Sequence, residues 1–313
     1  MAGDLFYILV FPGFLFLAVF ALIADYIDRK LHAKLQNRIG PPWYQPLADL
    51  IKLAAKEDLI PRQVDPWLFK LAPVFAVTAV VTAALYIPIW RHGTPMSFNG
   101  DVIVVLYLLT IPTLTFFLGG WYSRSVYSMI GAARSIMQLF AYEIPLFLSI
   151  LAPALLADSW SLGGMTLFYA HHPWYALFNA VGLFTALISL LGKLERVPFD
   201  IPEAETEIVA GSFTEYSGRL LAMFRLALSI EMIVGAALIA AVFLPFGLNL
   251  GGPAAFGLYL VKVLGIVAVI ALARTVFARL RIDQMINFCW QFVAPVAFLQ
   301  VIIDLVAKGV IAR

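Results

Sequence analysis

Six carboxylates, Glu195, Asp200, Glu203, Glu205, Glu207 and Glu215, crowd into 21 residues of this chain. Apolar residues are threaded among them (Phe199, Ile201, Ile208, Val209 and Phe213), as in a segment that packs. Crowded carboxylates in a partly dry setting raise one another's pKa values, so that some can hold and pass protons near neutral pH. Glu203 and Glu207 are four apart and share a face if the stretch is helical. The bland alternative is a polar connector, since solvated acidic runs are common. Two further carboxylates, Glu143 and Glu231, stand inside long apolar runs. An ionised carboxylate at mid-bilayer costs about 2.5–3.5 kcal/mol even on the lenient insertion scale, so such a group is protonated or paired and faces the bundle interior. A structural hydrogen bond between helices is the competing reading. Tyr142 and Pro145 flank Glu143. Arg134 lies nine residues before Glu143, about 13 Å along a helix, close to the acidic segment rather than to Glu143. Asp304 lies nearer a span end and reads as an interface residue. Asp283 reads as a local partner of Arg281.

The elements that position these groups are membrane spans. A bilayer-crossing helix needs about 20 mostly apolar residues. Eight runs qualify: Leu5–Ala24, Leu68–Ile89, Val102–Gly120, Ile136–Leu156, Tyr175–Leu191, Leu221–Phe246, Phe256–Phe277 and Phe288–Ala307. Prolines interrupt the third (Pro112), fourth (Pro145, Pro153) and eighth (Pro295), which a bundle tolerates by satisfying the freed backbone groups. The runs are continuous rather than alternating, which excludes a strand barrel. Basic residues then orient the bundle. Seventeen of the 21 Lys and Arg residues fall in or beside the odd-numbered loops, against Arg91, Lys262, Lys308 and Arg313 on the other side. The odd-numbered loops are therefore expected in the cytoplasm of a cell-membrane protein, with both termini outside. In the first loop Leu47, Leu50, Ile51 and Ala54 share one helical face, and Asp49, Lys52 and Lys56 another, which reads as an amphipathic interfacial helix. An ordinary surface helix is the alternative. The expected fold is an all-α integral membrane protein of about eight transmembrane helices with a cytoplasmic amphipathic helix between spans one and two. It forms a single membrane domain over 1–313.

Composition agrees. The 313 residues are 62% hydrophobic and only 13% charged, where soluble proteins carry about 25%. The net charge of +2 gives no case for nucleic acid. Cys289 is the one cysteine, so the chain holds no disulfide framework, iron–sulfur ligand set or thiolate zinc site. The four histidines lie outside the apolar runs, which argues against a haem held between spans. No basic residue precedes the first run, so it reads as a retained span.

Read together, the loops resemble the subunit-one, or H-subunit, family of respiratory complex I and its relatives in energy-converting membrane-bound [NiFe] hydrogenases. The matching pieces are Gln45-Pro46-Leu47-Ala48-Asp49 with Lys52-Leu53 and Lys56-Glu57, then Tyr142-Glu143-Ile144-Pro145. Arg196-Val197-Pro198-Phe199-Asp200 follows and runs through Pro202-Glu203-Ala204-Glu205 to Glu207, then Glu215-Tyr216-Ser217-Gly218 and Asp283-Gln284. The resemblance implies an oxidoreductase-complex subunit with no catalytic residue or cofactor of its own. It would anchor a hydrophilic redox arm through loops 25–67 and 192–220 (Arg38, Gln45, Asp49, Lys52, Lys56, Glu57, Arg196, Asp200). It implies a proton relay from Glu203, Glu205, Glu207 and Glu215 to Glu143, with Glu231, Tyr142 and Arg134 beside it, coupling electron transfer to proton or sodium movement. Hydrogenase-like large and small subunits carrying [NiFe] and iron–sulfur clusters, together with antiporter-like membrane subunits, are the implied partners. Gln36-Asn37-Arg38-Ile39-Gly40-Pro41-Pro42 looks like the hydrogenase branch. An equivalent subunit of a quinone- or sulfur-reducing relative is the alternative, with quinone as its added ligand. Two departures bear on the relay: Lys193 stands where the family has a glutamate, and the sixth-span glutamate sits about three residues earlier than Glu231. An autonomous secondary transporter is the remote alternative. Transporters typically show inverted repeats, and the chain has none.

Overall fold

The computed structural model describes residues 2–90, 94 and 96–311, and of residues 2–4, 205, 249 and 311 the backbone alone. Arg91, Arg313 and the side chain of Glu205 lie outside the described residues. Regular structure among the described residues is helical throughout. In order the helices are α1 (Ala2–Leu9), α2 (Phe14–Leu35), α3 (Gln45–Ala54), α4 (Pro66–Ala84), α5 (Asp101–Tyr122), α6 (Val126–Ala157), α7 (Leu162–His171), α8 (Ala180–Lys193), α9 (Glu205–Ile208), α10 (Gly218–Phe243), α11 (Gly252–Val276), α12 (Ile282–Phe288) and α13 (Ala294–Ile311). A 3₁₀ segment, Pro173–Asn179, leads into α8, and a π-helical turn, Cys289–Val293, joins α12 to α13. Among the described residues eight helical stretches are long and apolar enough to cross a membrane, in the order expected.

The span ends differ from the hydropathy reading, for electrostatic reasons. The first span runs on past Ala24 to Leu35, because Asp25 and Asp28 are buried inside it and paired with arginines instead of starting a loop. The fourth begins at Val126, and its first turns carry Arg134 on a helix rather than in a loop. The fifth continues to Lys193, which is buried. The last begins at Ile282. One helix, α7, was not anticipated; its ten residues are too few to span, and it packs on α6 and α10 with its first amide bonded to Asp101 at the start of α5.

The most buried span is α10, which packs on α2, α4, α8 and α11 and carries α3 against its first turns. Large apolar side chains such as Phe75, Tyr107, Phe140, Val261 and Phe298 point outward, as a lipid-facing surface requires. Trp67 and Trp121 are exposed at one end of the bundle, and Trp160 and Trp174 at the other. Exposed tryptophans at both ends match the aromatic belts of membrane proteins. Hydroxyls of Thr115 and Ser149 bond the carbonyls of Pro112 and Pro145 where prolines interrupt the helix ladder. Helix α3 forms as read from its periodicity. Leu50 and Leu53 line a cavity beside α10, while Leu47 and Ile51 stay exposed.

Candidate proton-relay site

Four spans meet at one buried cation. Lys193, the last residue of α8, is 1% exposed and places its ammonium 3.2 Å from a carboxylate oxygen of Glu231 on α10, itself fully buried. Lys193 also donates to the Leu109 carbonyl on α5, one turn before Pro112, where the proline leaves the ladder irregular. Its ammonium lies 5.6 Å from the centre of the Tyr142 ring. The Tyr142 hydroxyl lies 3.0 Å from that of Thr113. Glu143, half-buried next to Tyr142 on α6, is within electrostatic reach of the same lysine. Neither oxygen of Glu231 has a hydrogen-bond partner beyond this ion pair.

The link toward the acidic segment is Glu195, which sequence reading counted among the six carboxylates but did not single out. The turn after α8 explains its position. Glu195 adopts φ +50°, the left-handed position that commonly closes a helix, and the Arg196 amide bonds back to Leu191. This turn folds the carboxyl group under the end of α8, where Glu195 is 7% exposed and one of its oxygens has no hydrogen-bond partner. Burial pushes its pKa well above the carboxylate range, reinforced by Glu203, Glu231 and Asp200. Glu195 thus senses both the outer carboxylates and the membrane pair. The amide of Gln138 fixes this corner by donating to the Gly192 and Phe199 carbonyls at 2.7 and 2.9 Å.

A cavity of about 800 Å³ opens beside this corner, between α2, α3, the acidic segment and the near ends of α10 and α11. Asp25, Asp49, Glu195, Asp200 and Glu203 line it, together with Arg29, Lys52, Lys56, Arg196, Arg225, Arg274 and Arg279. Most of these charges are paired: Glu203 with Arg225 at 3.0 Å, Asp28 with Arg274 at 2.9 Å and Arg196 at 3.1 Å, and Asp49 with Arg29 at 2.9 Å. Glu207 lies outside the cavity, exposed, and the 2.6 Å ion pair with Arg134 holds its carboxyl below the usual range. Gly211 closes the acidic loop at φ +53°; a Cβ there would stand 1.8 Å from the Pro202 carbonyl oxygen.

The expected relay residues therefore fall into two groups. Glu143, Glu231 and Tyr142 gather around Lys193, while Glu203 sits at the cavity wall and Glu207 with Arg134 at the surface. Glu215 is half-buried and does not line the cavity. Of the residues expected to dock a redox arm, Arg38, Lys52, Lys56 and Glu57 are exposed. Gln45 and Asp49 bond each other at 2.9 Å, Arg196 turns inward to Asp28, and Asp200 is half-buried in the cavity wall. Sequence reading missed the buried roles of Lys193, Asp25 and Asp28. The signal was present for the aspartates, whose i,i+3 spacing continues the helical pattern beyond Ala24.

The sequence model of the family described as "NADH dehydrogenase" matches residues 8–305. The chain belongs to this family. It is 35% identical over 299 residues to the H-subunit of the NADH-quinone oxidoreductase of Carboxydothermus hydrogenoformans, covering 92% of this chain and 85% of the relative. It is 34% identical over 312 residues to the corresponding H-subunit from Syntrophotalea carbinolica, covering 94% and 92%. A chain in the solved structure of the membrane-bound sulfane sulfur reductase, an archaeal respiratory membrane complex, shares the fold at a TM-score of 0.82. It is 27% identical, with 93% of this chain and 96% of that one covered. The protein is an H-type membrane subunit of a complex I-like oxidoreductase complex.

Proposed function

We propose that this subunit couples electron transfer on hydrophilic partner chains to proton translocation, through a relay running from the cavity carboxylates to the Lys193–Glu231 pair. The observation that carries this reading is the buried ion pair, with the buried Glu195 two residues beyond Lys193 on the wall of the cavity that Asp200 and Glu203 also line. A proton arriving from the cavity side is held at Glu195, whose raised pKa suits it to carry one. From there it moves to Glu231, so that Glu231 and Glu143 exchange one proton beside the fixed Lys193 cation. Sodium is the alternative coupling ion. The basic loops support an orientation with the cavity and the exposed face of α3 in the cytoplasm and both termini outside. That face and loop 192–220 would seat the redox arm. The whole of 1–313 acts as one membrane domain.

The first-loop stretch 36–42 supports hydrogenase-type partners carrying [NiFe] and iron–sulfur centres, with ferredoxin as donor and protons as acceptor. The second reading is a sulfur- or quinone-reducing complex, favoured by the 0.82 TM-score to the sulfane sulfur reductase chain and by the NADH-quinone relatives. The test is mild-detergent purification from the native membrane, with mass spectrometry, metal analysis and assays of hydrogen evolution and of sulfur and quinone reduction. Nickel with hydrogen evolution carries the first reading; nickel-free partners that reduce sulfur or quinone carry the second. Purification as a lone oligomer overturns both.

A further inference from the structure

The far end of the bundle holds a carboxylate that the relay above does not use. Asp304 on α13 is 0% exposed, although it lies only seven residues from the end of its helix. It is held as an ionisable group in a built site. With the Asn179 amide oriented to satisfy its neighbours, its nitrogen donates to the two Asp304 oxygens at 3.2 and 3.1 Å. The Asn179 oxygen lies 2.9 Å from the hydroxyl of Tyr169, a buried residue of α7. Gln300, one turn inward on α13, reaches the same carboxylate. One turn outward, Lys308 pairs with Asp158 at 2.6 Å, and that pair is exposed to the far side.

Polar side chains connect Asp304 to the Lys193–Glu231 pair. Lys193, Ser189 and Thr185 are all buried and recur at four-residue steps along one face of α8, and the buried Asn179 follows in the 3₁₀ segment that leads into it. At 1.5 Å per residue the stripe spans about 21 Å, most of a bilayer's hydrocarbon core. The Thr185 hydroxyl lies 2.6 Å from Ser149 on α6, and the Gly182 amide donates to Gln300 at 3.0 Å, so α6 and α13 extend the stripe. Ser189, 2% exposed and midway between Lys193 and Thr185, has a hydroxyl with no partner. A buried hydroxyl left without a partner is costly in an apolar bundle, and a place in a chain of hydroxyls and water would supply one. Neighbouring hydroxyls at four-residue spacing stand about 6 Å apart along the axis, a gap one water molecule bridges.

We propose that this protein provides a transverse proton path of its own along the α6–α8–α13 seam, from the Lys193–Glu231 pair to Asp304, which releases the proton to the far aqueous phase. A proton leaves the Glu231 carboxyl group, passes over the Ser189 and Thr185 hydroxyls and intervening water, and protonates Asp304. The Asp304 O–H then breaks toward the outer solvent beside Lys308 and Asp158, and electrons stay on the partner chains throughout. Asn179 and Gln300 are positioning residues that hold the carboxylate in place. This inference rests on the proposed coupling role.

The test compares Asp304→Asn, Asp304→Glu, Ser189→Ala and Glu231→Gln in the whole complex, reconstituted in vesicles with an entrapped pH-sensitive dye and driven by a reduced viologen dye. Asp304→Asn keeps the hydrogen-bonding shape but carries no proton. We expect it to lower proton transfer per electron by about an order of magnitude or more, the scale of a lost proton-transfer group. Asp304→Glu is expected to restore most of it. Redox-difference infrared spectra in light and heavy water should lose one carboxyl band in Asp304→Asn, a readout that a purely structural aspartate would not move. Ser189→Ala, which removes only the unpaired hydroxyl, is expected to slow transfer without affecting assembly, and serves if Asp304→Asn fails to assemble. Normal proton transfer in Asp304→Asn or Ser189→Ala, with Glu231→Gln inactive, overturns the transverse path and leaves the coupling role standing. Normal transfer in Glu231→Gln overturns the coupling role itself.

Discussion

Replacing Lys193 by Met removes the one cation at the four-helix junction and leaves Glu231 buried opposite an apolar side chain. At the observed 3.2 Å the ion pair attracts with about 5 kcal/mol at an effective dielectric constant of ~20. Desolvation of both groups offsets much of that in the intact protein, so the pair adds little net stability. Truncation is different, because the desolvation of Glu231 remains while its partner is gone. Breaking a buried pair in this way typically costs about 3–5 kcal/mol. At about 1.4 kcal/mol per decade this is two to four orders of magnitude in the folded-to-unfolded ratio. The Leu109 carbonyl also loses its lysine donor. We expect Lys193→Met to shift the denaturation midpoint of the detergent-solubilised complex, read by tryptophan fluorescence, and to abolish proton transfer per electron. The double variant Lys193→Met/Glu231→Gln, which leaves no orphaned charge, should regain most of the stability but none of the coupling. Lys193→Arg should keep stability better than Met. A Lys193→Met complex with a native midpoint and native coupling would refute the reasoning.

Other expectations follow from the same geometry. Glu195 has a folded-state pKa raised above its unfolded value, so its contribution to stability is full at acid pH and is lost as pH rises. Glu195→Gln should therefore melt like the native complex at acid pH and above it at neutral and alkaline pH, while slowing proton uptake; thermal melts across pH with parallel uptake assays check both. Glu207 has the opposite sign: its pKa is depressed by Arg134, so its contribution is present above the ordinary carboxylate range and lost as pH falls through the lowered value. Because Glu207 is half-exposed, Arg134→Ala should cost under about 1 kcal/mol, and that cost should shrink with added salt in denaturation curves. Asp101 caps the start of α7 by accepting from the Leu162 amide at 2.6 Å and the Ser97 hydroxyl at 2.8 Å. Asp101→Ala leaves the buried Leu162 amide without its acceptor and should lower stability by about 1–3 kcal/mol, measured as a lower denaturation midpoint without a change in coupling ratio.

The eight spans were legible because continuous apolar length is a one-dimensional signal. Charges inside the helices were legible only where the run continued on both sides, as at Glu143 and Glu231. Lys193, Asp25 and Asp28 lie where a run ends, so hydropathy assigned them to loops, and only their partners on other helices reveal them as buried. The same holds for Asp304, whose place near a span end suggested an interface residue until α7 and Asn179 were seen to cover it. What no linear pattern encoded is how the acidic loop lies against α5 and α6. That contact depends on Gly131 of α6, where an added Cβ would meet the Ser212 amide nitrogen at 2.5 Å and Gly211 backbone atoms at 2.6 Å. These are backbone atoms, so a side chain there cannot be absorbed by a rotamer change. Gly131→Ala must push residues 202–213 off the helix, at the roughly 1–3 kcal/mol typical of overpacking. The displaced loop would carry Ser212 away from Ser135 and loosen the corner that holds Glu195. Limited proteolysis of the assembled complex should then cut within 202–213 faster than in the native protein, with reduced proton uptake. Native protease resistance in Gly131→Ala would mean that the loop is held by its ion pairs to Arg134 and Arg225 rather than by this close approach.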